Sequence, residues 1–315
     1  MEQKRYFASL IIPHHDIPIL LRRCLASIPR RDDLQVIVVD DHSDEKYIPD
    51  LRKIEKDFPH ITILYLEKNG GGGKARNEGL KVAKGRYVLF ADADDFFNYC
   101  LDQVLDDYKE TDYDIIYFDN CSVDTDTYVN VRRYVALHKK VMLYQKQPEK
   151  ALFQLRYLFG EPWCKMVKRE VIERHHIQFS ETIIHNDTKY SYLVGYHCQS
   201  ARVDPRAIYC VTDRAGSVSK CSSLDRMFTR TQVFAEATVF YQTHGIHLYG
   251  TFLFNPLMNF LVRGDFGNVK HCIDIMKSCG MSSHLITKGF VSYSLLKVVK
   301  APFVFVKKVL KQVVL

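Results

Sequence analysis

The sequence contains no long hydrophobic run: no window reaches the roughly 18 to 20 apolar residues that a membrane-spanning helix requires. The first apolar run, at residues 7–12, leads into Pro-His-His-Asp without a small-residue cleavage site, which is not typical of a signal peptide. The nine cysteines are dispersed and include no Cys-x-x-Cys pair, so neither a zinc site nor a disulfide framework is expected. These absences predict a cytoplasmic protein with reduced thiols.

Net positive charge is small outside the C-terminal tail. The chain has a formal net charge of +7, and residues 286–315 hold six lysines and no acid, so the preceding residues are nearly neutral. A nucleic-acid groove requires basic residues spread over the body of the protein. The charge distribution therefore predicts no nucleic-acid partner.

The tail itself has an amphipathic pattern. On a helical wheel, Lys297, Lys300, Lys307, Lys308 and Lys311 fall on one side, and Val, Leu and Phe occupy the other. Such a helix suits the surface of an anionic membrane, and it equally suits packing against its own domain. The first interpretation predicts peripheral association with the inner face of the cell membrane.

Short apolar runs alternate with amphipathic stretches through the first 120 residues. This alternation predicts an α/β fold with βαβ units and a mostly parallel central sheet. From Leu224 the pattern is helical, with breaks at glycines and Pro302, so we predict two domains, residues 1–223 and 224–315. The predicted strands are residues 7–12, 35–39, 61–66, 87–91 and 114–118, and the predicted helices are residues 17–27, 46–56, 74–83, 99–108 and 151–158.

Carboxylates follow two of the predicted strands, where ligands of parallel sheets bind. One strand runs into Asp-Asp-His-Ser-Asp at residues 40–44, and another into Asp-Ala-Asp-Asp at residues 92–95. Acids crowded at one sheet edge repel each other unless a cation or hydrogen-bond donors compensate. Mg²⁺ and Mn²⁺ prefer oxygen ligands and commonly bridge substrate phosphates, whereas a single Asp often only caps a helix. The clustering favours a metal site.

A glycine run lies between the two acidic segments. Residues 69–77 read Asn-Gly-Gly-Gly-Gly-Lys-Ala-Arg-Asn, which is not a P-loop because Ala75 follows the Gly-Lys pair. Glycines allow the backbone to approach a ligand closely, and Lys74 and Arg76 supply positive charge suited to a pyrophosphate. A merely flexible loop is the alternative.

Four segments together resemble family 2 glycosyltransferases with the GT-A fold, of the inverting type found in bacterial polysaccharide synthesis. They are ASLIIPHHD at residues 8–16, VIVVDDHSDE at 36–45, GKARNEGLKVAKGRYVLFADADDFF at 73–97 and WCKMVKRE at 163–170. They occur in the family's order and extend over about residues 5–220. The C-terminal third is not part of the resemblance.

The resemblance implies a role for each matching position. Asp41 would bind the nucleotide base, typically uracil, and Asp92 would contact the ribose. Asp94 would hold the metal, Mg²⁺ or Mn²⁺, that binds the diphosphate. The other implied donor-binding residues are Pro13, His15, Lys74, Arg76, Asn77 and Ala93. His15-Asp16 replaces the family's common Tyr-Asn, so base contacts in that loop are left open.

The resemblance also places a catalytic base about 90 residues after the acidic pair. Asp187 matches it, and Asn186 replaces the usual Glu, which removes a charge that would raise the pKa of Asp187. Trp163 would lie at the acceptor side, where its ring could stack on a sugar, although packing in the core is the alternative.

The resulting hypothesis is metal-dependent, inverting transfer of a sugar from a nucleotide-diphosphate donor, with UDP favoured, to an acceptor hydroxyl. The acceptor would be a glycan or a lipid-linked intermediate in cell-surface polysaccharide assembly. One alternative is a sugar nucleotidyltransferase, which would need a basic glycine-rich signature where the first strand ends in Pro-His-His-Asp. The other alternative is a non-catalytic binding protein with the same fold. It is favoured by Asn186, which stands where the family motif has Glu.

Overall fold

The computed structural model describes residues 6–214, 223–248 and 253–294. The chain divides into two compact units, Met1–Cys221 and Ser222–Leu315. The lysine-rich segment at residues 297–311 lies outside the described residues, so the membrane-binding helix stays a prediction. Within the described residues, no helix combines the length and hydropathy needed to cross a membrane.

The first unit is built on one sheet of eight strands. Their bounds are β1 (Ala8–His14), β2 (Leu34–Asp40), β3 (Ile61–Tyr65), β4 (Tyr87–Phe90), β5 (Phe96–Phe97), β6 (Ile115–Asp124), β7 (Lys165–Lys168) and β8 (Ala201–Asp213). The strand order is β3-β2-β1-β4-β7-β6-β8-β5. The pairings β1–β2, β1–β4, β2–β3 and β6–β8 are parallel, and those of β4 and β6 with β7 and of β5 with β8 are antiparallel.

Strand burial explains why the sequence predicted the centre of this sheet. Almost every residue of β1 and β2 is buried, as expected for interior parallel strands, and most residues of both strands are apolar. Because β1 lies between β2 and β4, the carboxyl ends of all three parallel strands meet at one edge. The two acidic segments, which follow β2 and β4, therefore start from the same edge, as predicted.

Eight α-helices connect the strands in the described part of this unit. They are α1 (Pro18–Ala26), α2 (Ile48–Asp57), α3 (Gly71–Val82), α4 (Leu101–Asp107), α5 (Val135–Leu143), α6 (Pro148–Tyr157), α7 (Arg169–Arg174) and α8 (Thr188–His197). Proline occupies the first turn of α1, α2 and α6, where its missing N–H costs no helical hydrogen bond. Each predicted helix of this unit is present, and the predicted α/β class is confirmed.

Helix α3 differs from the prediction at its start. The sequence predicted a glycine loop followed by a helix from Lys74, but the helix begins inside the run, at Gly71. Gly71 has a φ of +82°, a conformation that other residues rarely adopt. A Cβ on Gly73 would lie 2.0 Å from the Ser180 carbonyl oxygen. These glycines are therefore required by turn geometry and close packing, and the run is not a flexible loop.

The second unit is helical, as the sequence predicted. It contains α9 (Leu224–Thr243), α10 (Phe254–Val262) and α11 (Phe266–Ser278), and residues 283–294 are also helical. Ser223 and Asp265 cap α9 and α11 by accepting backbone N–H groups. A separate apolar core includes Leu257, Phe260, Cys272 and Met276.

Candidate active site

The acidic loop after β4 is held by strand β8. The backbone N–H of Asp92 donates to the Tyr209 hydroxyl over 2.8 Å, and the Thr212 hydroxyl donates to the Asp94 carbonyl over 2.8 Å. The Thr212 N–H donates to a carboxylate oxygen of Asp95 over 2.7 Å. Because β8 supplies all these contacts, the loop is fixed by residues more than a hundred positions later in the chain.

The carboxylates of this loop concentrate negative charge. Burial and, secondarily, the neighbouring Asp92 raise the pKa of Asp94 above its ordinary value. Burial, followed by the charges of Asp92 and Asp94, raises the pKa of Asp95 well above its ordinary value. Ala93, between them, is buried, and the Arg214 guanidinium lies 3.7 Å from Asp94. Such mutual repulsion makes the loop suited to a cation.

Arg76 joins this loop to the segment that carries the predicted base. One guanidinium nitrogen donates to Asp92 over 2.6 Å, and another donates to the Asn186 side-chain oxygen over 3.0 Å. Its guanidinium carbon also lies 5.5 Å from the centre of the Phe179 ring. Arg76 is buried, so this bridge is rigid and specific to the fork geometry of arginine. The structure thereby brings residues 76, 92 and 186 together, next to Asp187.

Asp187 occupies the N-cap position of α8 and is partly exposed. Burial of its carboxyl group raises its pKa to about 6, and the charge of Glu161 adds to this rise, whereas the Arg76 guanidinium opposes it. A carboxylate with this pKa is suited to accept a proton near neutral pH. The sequence predicted that Asn186, in place of Glu, removes one negative charge beside Asp187. It did not predict Glu161, whose negative charge raises the pKa of Asp187.

Two predicted donor-binding residues of α3 instead contact the segment before α8. The buried amide of Asn77 donates to the Phe179 carbonyl over 3.0 Å and accepts the Phe179 N–H over 2.9 Å. The Lys74 ammonium lies 3.0 Å from Glu78 and 3.5 Å from Glu181. Both residues therefore fix α3 and the loop at residues 179–187, and a donor contact for either one stays a prediction.

The acids that follow β2 are compensated by hydrogen-bond donors. Both carboxylate oxygens of buried Asp41 accept backbone N–H groups at the start of α3, from Gly70 over 2.8 Å and Gly71 over 2.6 Å. Burial raises the pKa of Asp40, but hydrogen bonds from His14 and Ser43 outweigh it, and the pKa is lowered overall. The sequence left open whether a cation or hydrogen-bond donors compensate the negative charge of the crowded acids. For Asp40 and Asp41, hydrogen-bond donors do so. Each oxygen of Asp41 keeps capacity for a further donor, so base binding remains a prediction.

Pro13 and His15 border the same edge of the sheet. Pro13 pairs with Val39 of β2, whereas the pairing of β1 with β4 ends earlier, at Ile11. At Pro13 the strand β1 therefore has a neighbour on one side only, which is where a proline without an N–H is tolerated in a sheet. His15 is exposed, and its ring lies 3.5 Å from Asp16. Nothing in these contacts assigns a nucleotide base to the loop, and the roles implied for both residues stay predictions.

Trp163 is half-buried beside the acidic loop. Its ring is stacked on Tyr209 with centroids 5.6 Å apart, and it meets the Phe159 ring edge-on at 5.4 Å. Since Tyr209 also binds the Asp92 N–H, the Trp163 ring packs against a residue that supports the loop. Packing is therefore one role of Trp163, and stacking on an acceptor sugar stays a prediction.

The described residues contain no group of three His, Cys, Asp or Glu side chains arranged to hold a metal ion. A cation here would therefore depend on one or two carboxylates of the loop, chiefly Asp94, and on the phosphates of a substrate. Mg²⁺ is commonly bound in this way. Burial and, secondarily, the charge of Asp92 raise the pKa of Asp94, and a cation would favour the ionised carboxylate against both effects, so the residues fit the predicted ion.

Arg23 is a supporting residue that the sequence did not reveal. From α1 its guanidinium donates to the carbonyl of Asp94 over 2.5 Å and to that of Thr125 over 3.0 Å, and it lies 5.3 Å from the Phe96 ring centre. In the sequence it is one of two adjacent arginines in an amphipathic helix, a pattern typical of a solvated face. No local signal could have identified its contacts.

Comparison with known proteins settles the family. A family model described as glycosyl transferase family 2 matches residues 9–175, more than half of the chain. The chain belongs to this family. The matched residues contain all of the acidic segments, α3 and Trp163, and the family predicted from the sequence is confirmed.

Curated relatives of the chain resemble only part of it. The poly(ribitol-phosphate) beta-glucosyltransferase of Bacillus spizizenii is 33% identical over 93 residues, which are 28% of this chain and 15% of that protein. The uncharacterized glycosyltransferase YibD of Escherichia coli is 24% identical over 219 residues, 64% of this chain and 60% of that protein. The chain thus spans less than two thirds of the length of either relative.

Solved structures share the fold. Staphylococcus aureus TarS, residues 1–349 in complex with UDP-GlcNAc, has a TM-score of 0.57 and 18% identity, covering 86% of this chain and 91% of that one. The mannosyltransferase PcManGT from Pyrobaculum calidifontis, in complex with GDP-Man and Mn²⁺, has a TM-score of 0.51 and 16% identity, covering 93% of this chain and 81% of that one. These likenesses confirm the GT-A fold of the family.

Proposed function

We propose that this chain is an inverting glycosyltransferase that transfers a sugar from a nucleoside diphosphate donor to an acceptor hydroxyl. The observation that carries the proposal is the connection from Asp92 through Arg76 to Asn186, next to Asp187. This bridge connects the acidic loop, our proposed site for the donor diphosphate, to the segment that carries a carboxylate of raised pKa. Membership in family 2 supports the reaction class.

Asp187 is the proposed general base. Its carboxylate accepts the proton of the acceptor hydroxyl as the hydroxyl oxygen attacks the anomeric carbon, and the bond to the diphosphate oxygen breaks. Attack from the face opposite the leaving group inverts the configuration at the anomeric carbon. The pKa of about 6 leaves most of the carboxylate ionised at pH 7 and still basic enough to accept the proton.

The proposed donor is a UDP-sugar, and the proposed ion is Mg²⁺ or Mn²⁺ on Asp94. A structural neighbour is described as bound to UDP-GlcNAc, and another as bound to GDP-Man and Mn²⁺, which supports a nucleotide-sugar donor and a divalent ion. Such an ion supplies positive charge that stabilises the departing diphosphate. Asp92 is held by Arg76 and would face the ribose, while Arg214, near Asp94, adds positive charge at the diphosphate.

The proposed acceptor belongs to a cell-surface polysaccharide or another glycan, free or lipid-linked. The relative from Bacillus spizizenii is named for transfer to a poly(ribitol-phosphate) chain, which supports an acceptor of this class. The six lysines and absent acids of residues 286–315 support a peripheral place on an anionic membrane, where a lipid-linked acceptor would be within reach. Co-sedimentation with vesicles of anionic and of neutral lipid tests this location, and equal binding to both would contradict it.

A panel of nucleotide-sugars tests the proposed function. With Mn²⁺ present, one UDP-sugar should raise the melting temperature of the full chain, because a ligand at about 100 times its Kd adds about 2.7 kcal/mol of stability. That donor should also be hydrolysed slowly, and Asp94→Ala should abolish the hydrolysis. Asp112→Ala, at a site 72% exposed, is the matched control and should behave as wild type.

Other outcomes would contradict the proposal. If no nucleotide-sugar stabilises or is cleaved, a non-catalytic binding protein is favoured. Release of pyrophosphate from a sugar 1-phosphate and UTP would instead indicate a nucleotidyltransferase.

A further inference from the structure

A buried lysine is hydrogen-bonded to α8, the helix that carries the proposed base. Lys165, the first residue of β7, is 1% exposed. Its ammonium donates to the Phe159 carbonyl over 2.7 Å and to the Ser191 hydroxyl over 2.9 Å, and it lies 4.3 Å from the centre of the Phe159 ring. Lys165 forms no ion pair with any carboxylate of the described residues.

These hydrogen bonds join the segment that leads to Trp163 with the first turn of α8. Ser191, one turn into α8, donates its hydroxyl to the Gly160 carbonyl and its N–H to the Asp187 carbonyl. The segment that begins at Phe159 leads directly to Trp163. Lys165 and Ser191 therefore hold the Trp163 segment against the end of α8 that carries the base.

Stability alone does not explain a lysine at this position. An ammonium removed from water without a carboxylate partner destabilises the fold, and an unbranched apolar side chain would fill the same space at lower cost. Burial lowers the pKa of Lys165 to about 7, and the charges of Glu161 and Asp187 oppose this lowering. Below pH 7 the group is thus mainly a cation, and its charge in turn lowers the pKa of Asp187.

We propose that Lys165 is a positioning residue for the transfer reaction: it anchors the Trp163 segment to α8 and supplies a positive charge that acts on the carboxylate of Asp187. The inference rests on the proposed function for its catalytic consequence, whereas the anchoring itself does not depend on it. The charged groups that face this arrangement are Glu161 on the Trp163 segment, Arg76 on α3 and Asp92 on the acidic loop.

Lys165→Met tests the proposal, with Lys168→Met as its control on the same strand. Lys168 pairs with Asp112 over 2.8 Å, away from these contacts. Lys165→Met should lower kcat about 10- to 100-fold, the loss that a small displacement of a catalytic group produces, and leave the KM for the donor unchanged. Without the cation the pKa of Asp187 rises, so the acid limb of the kcat/KM profile should move to higher pH.

Ser191→Ala separates anchoring from charge. It removes one hydrogen bond of Lys165 and keeps the cation, so it should lower kcat without moving the acid limb. If Lys165→Met lowers kcat but leaves the acid limb in place, the role of the charge is refuted. If Lys165→Met leaves kcat unchanged, the positioning role is refuted.

Hydrogen exchange tests the anchoring whether or not a donor has been found. In Lys165→Met, the amides of residues 159–163 and of the first turn of α8 should exchange faster than in wild type and in Lys168→Met. Unchanged exchange at both segments would overturn the inference. A wild-type chain that transfers no sugar would refute the proposed function instead, and the exchange result would still decide the anchoring.

Discussion

Replacing Gly73 with alanine should destabilise the first unit and reduce transfer, although alanine is the better helix former. Gly73 lies in the first turn of α3, where alanine would ordinarily add about 0.5 to 1 kcal/mol. Its added Cβ would lie 2.0 Å from the Ser180 carbonyl oxygen and 3.0 Å from the Asn186 Cβ. The first distance is far below van der Waals contact, and the obstructing atom belongs to the backbone.

The clash decides the sign of the effect. Overpacking of this kind costs about 1 to 3 kcal/mol against a gain of about 0.5 to 1 kcal/mol in helix propensity, so the free energy of unfolding should fall by up to about 2.5 kcal/mol. Urea unfolding followed by Trp163 fluorescence measures it, because this single tryptophan belongs to the first unit. The displaced segment carries Asp187, so kcat should fall about 10- to 100-fold.

Gly267→Ala is the matched control. Gly267 also lies in the first turn of a helix, α11, and its added Cβ would come no closer than 3.8 Å to a neighbouring atom. There alanine should leave transfer unchanged and be neutral or stabilising, as measured by circular dichroism during unfolding. If Gly73→Ala matches this control in both stability and transfer, the close packing of α3 against residues 180–186 is refuted.

Three further predictions concern the proposed site. Arg76→Lys should lower kcat about 10- to 100-fold, because an ammonium cannot bridge Asp92 and Asn186 as the guanidinium fork does; unchanged kinetics would contradict the bridge. Since the pKa of Asp187 is raised to about 6, the ionised form costs stability above that pH, so Asp187→Asn should be the more stable protein at pH 7. This difference should shrink as the pH falls through 6 towards 4, and a difference independent of pH would contradict the raised pKa. Chelation of divalent ions should abolish transfer, and Mn²⁺ should restore it; transfer that persists in chelator would remove the metal from the proposal.

Local patterns were sufficient to predict the parallel half of the sheet. β1 and β2 are mostly apolar, and α1, the helix between them, has proline in its first turn, so each element is recognisable within a short window. The acidic residues after β2 and β4 were located for the same reason. The start of α3 was not, because four glycines predict a loop when the contact with Ser180 is unknown.

The contacts of the site were beyond local sequence reasoning. Asn77 and Phe179 are 102 positions apart, and Arg76 and Asn186 are 110 apart, so their pairing depends on the completed fold. The sequence correctly placed Asp41 at the sheet edge. Its hydrogen bonds to the N-terminus of α3 could not be predicted, because the sequence did not show that this helix begins at Gly71. Lys165 gave no signal, since a lysine in the sequence Trp-Cys-Lys is ordinarily expected to be exposed.

The proposed mechanism assigns donor binding and proton removal to different carboxylates, and Asp187→Asn separates the two most directly. The measurement is the Kd for the donor, with Mn²⁺ present, together with kcat for transfer to the acceptor. Asp187→Asn should bind the donor with an unchanged Kd and lose about 100- to 10,000-fold in kcat, the usual contribution of a general base. Full transfer by this variant would contradict the account.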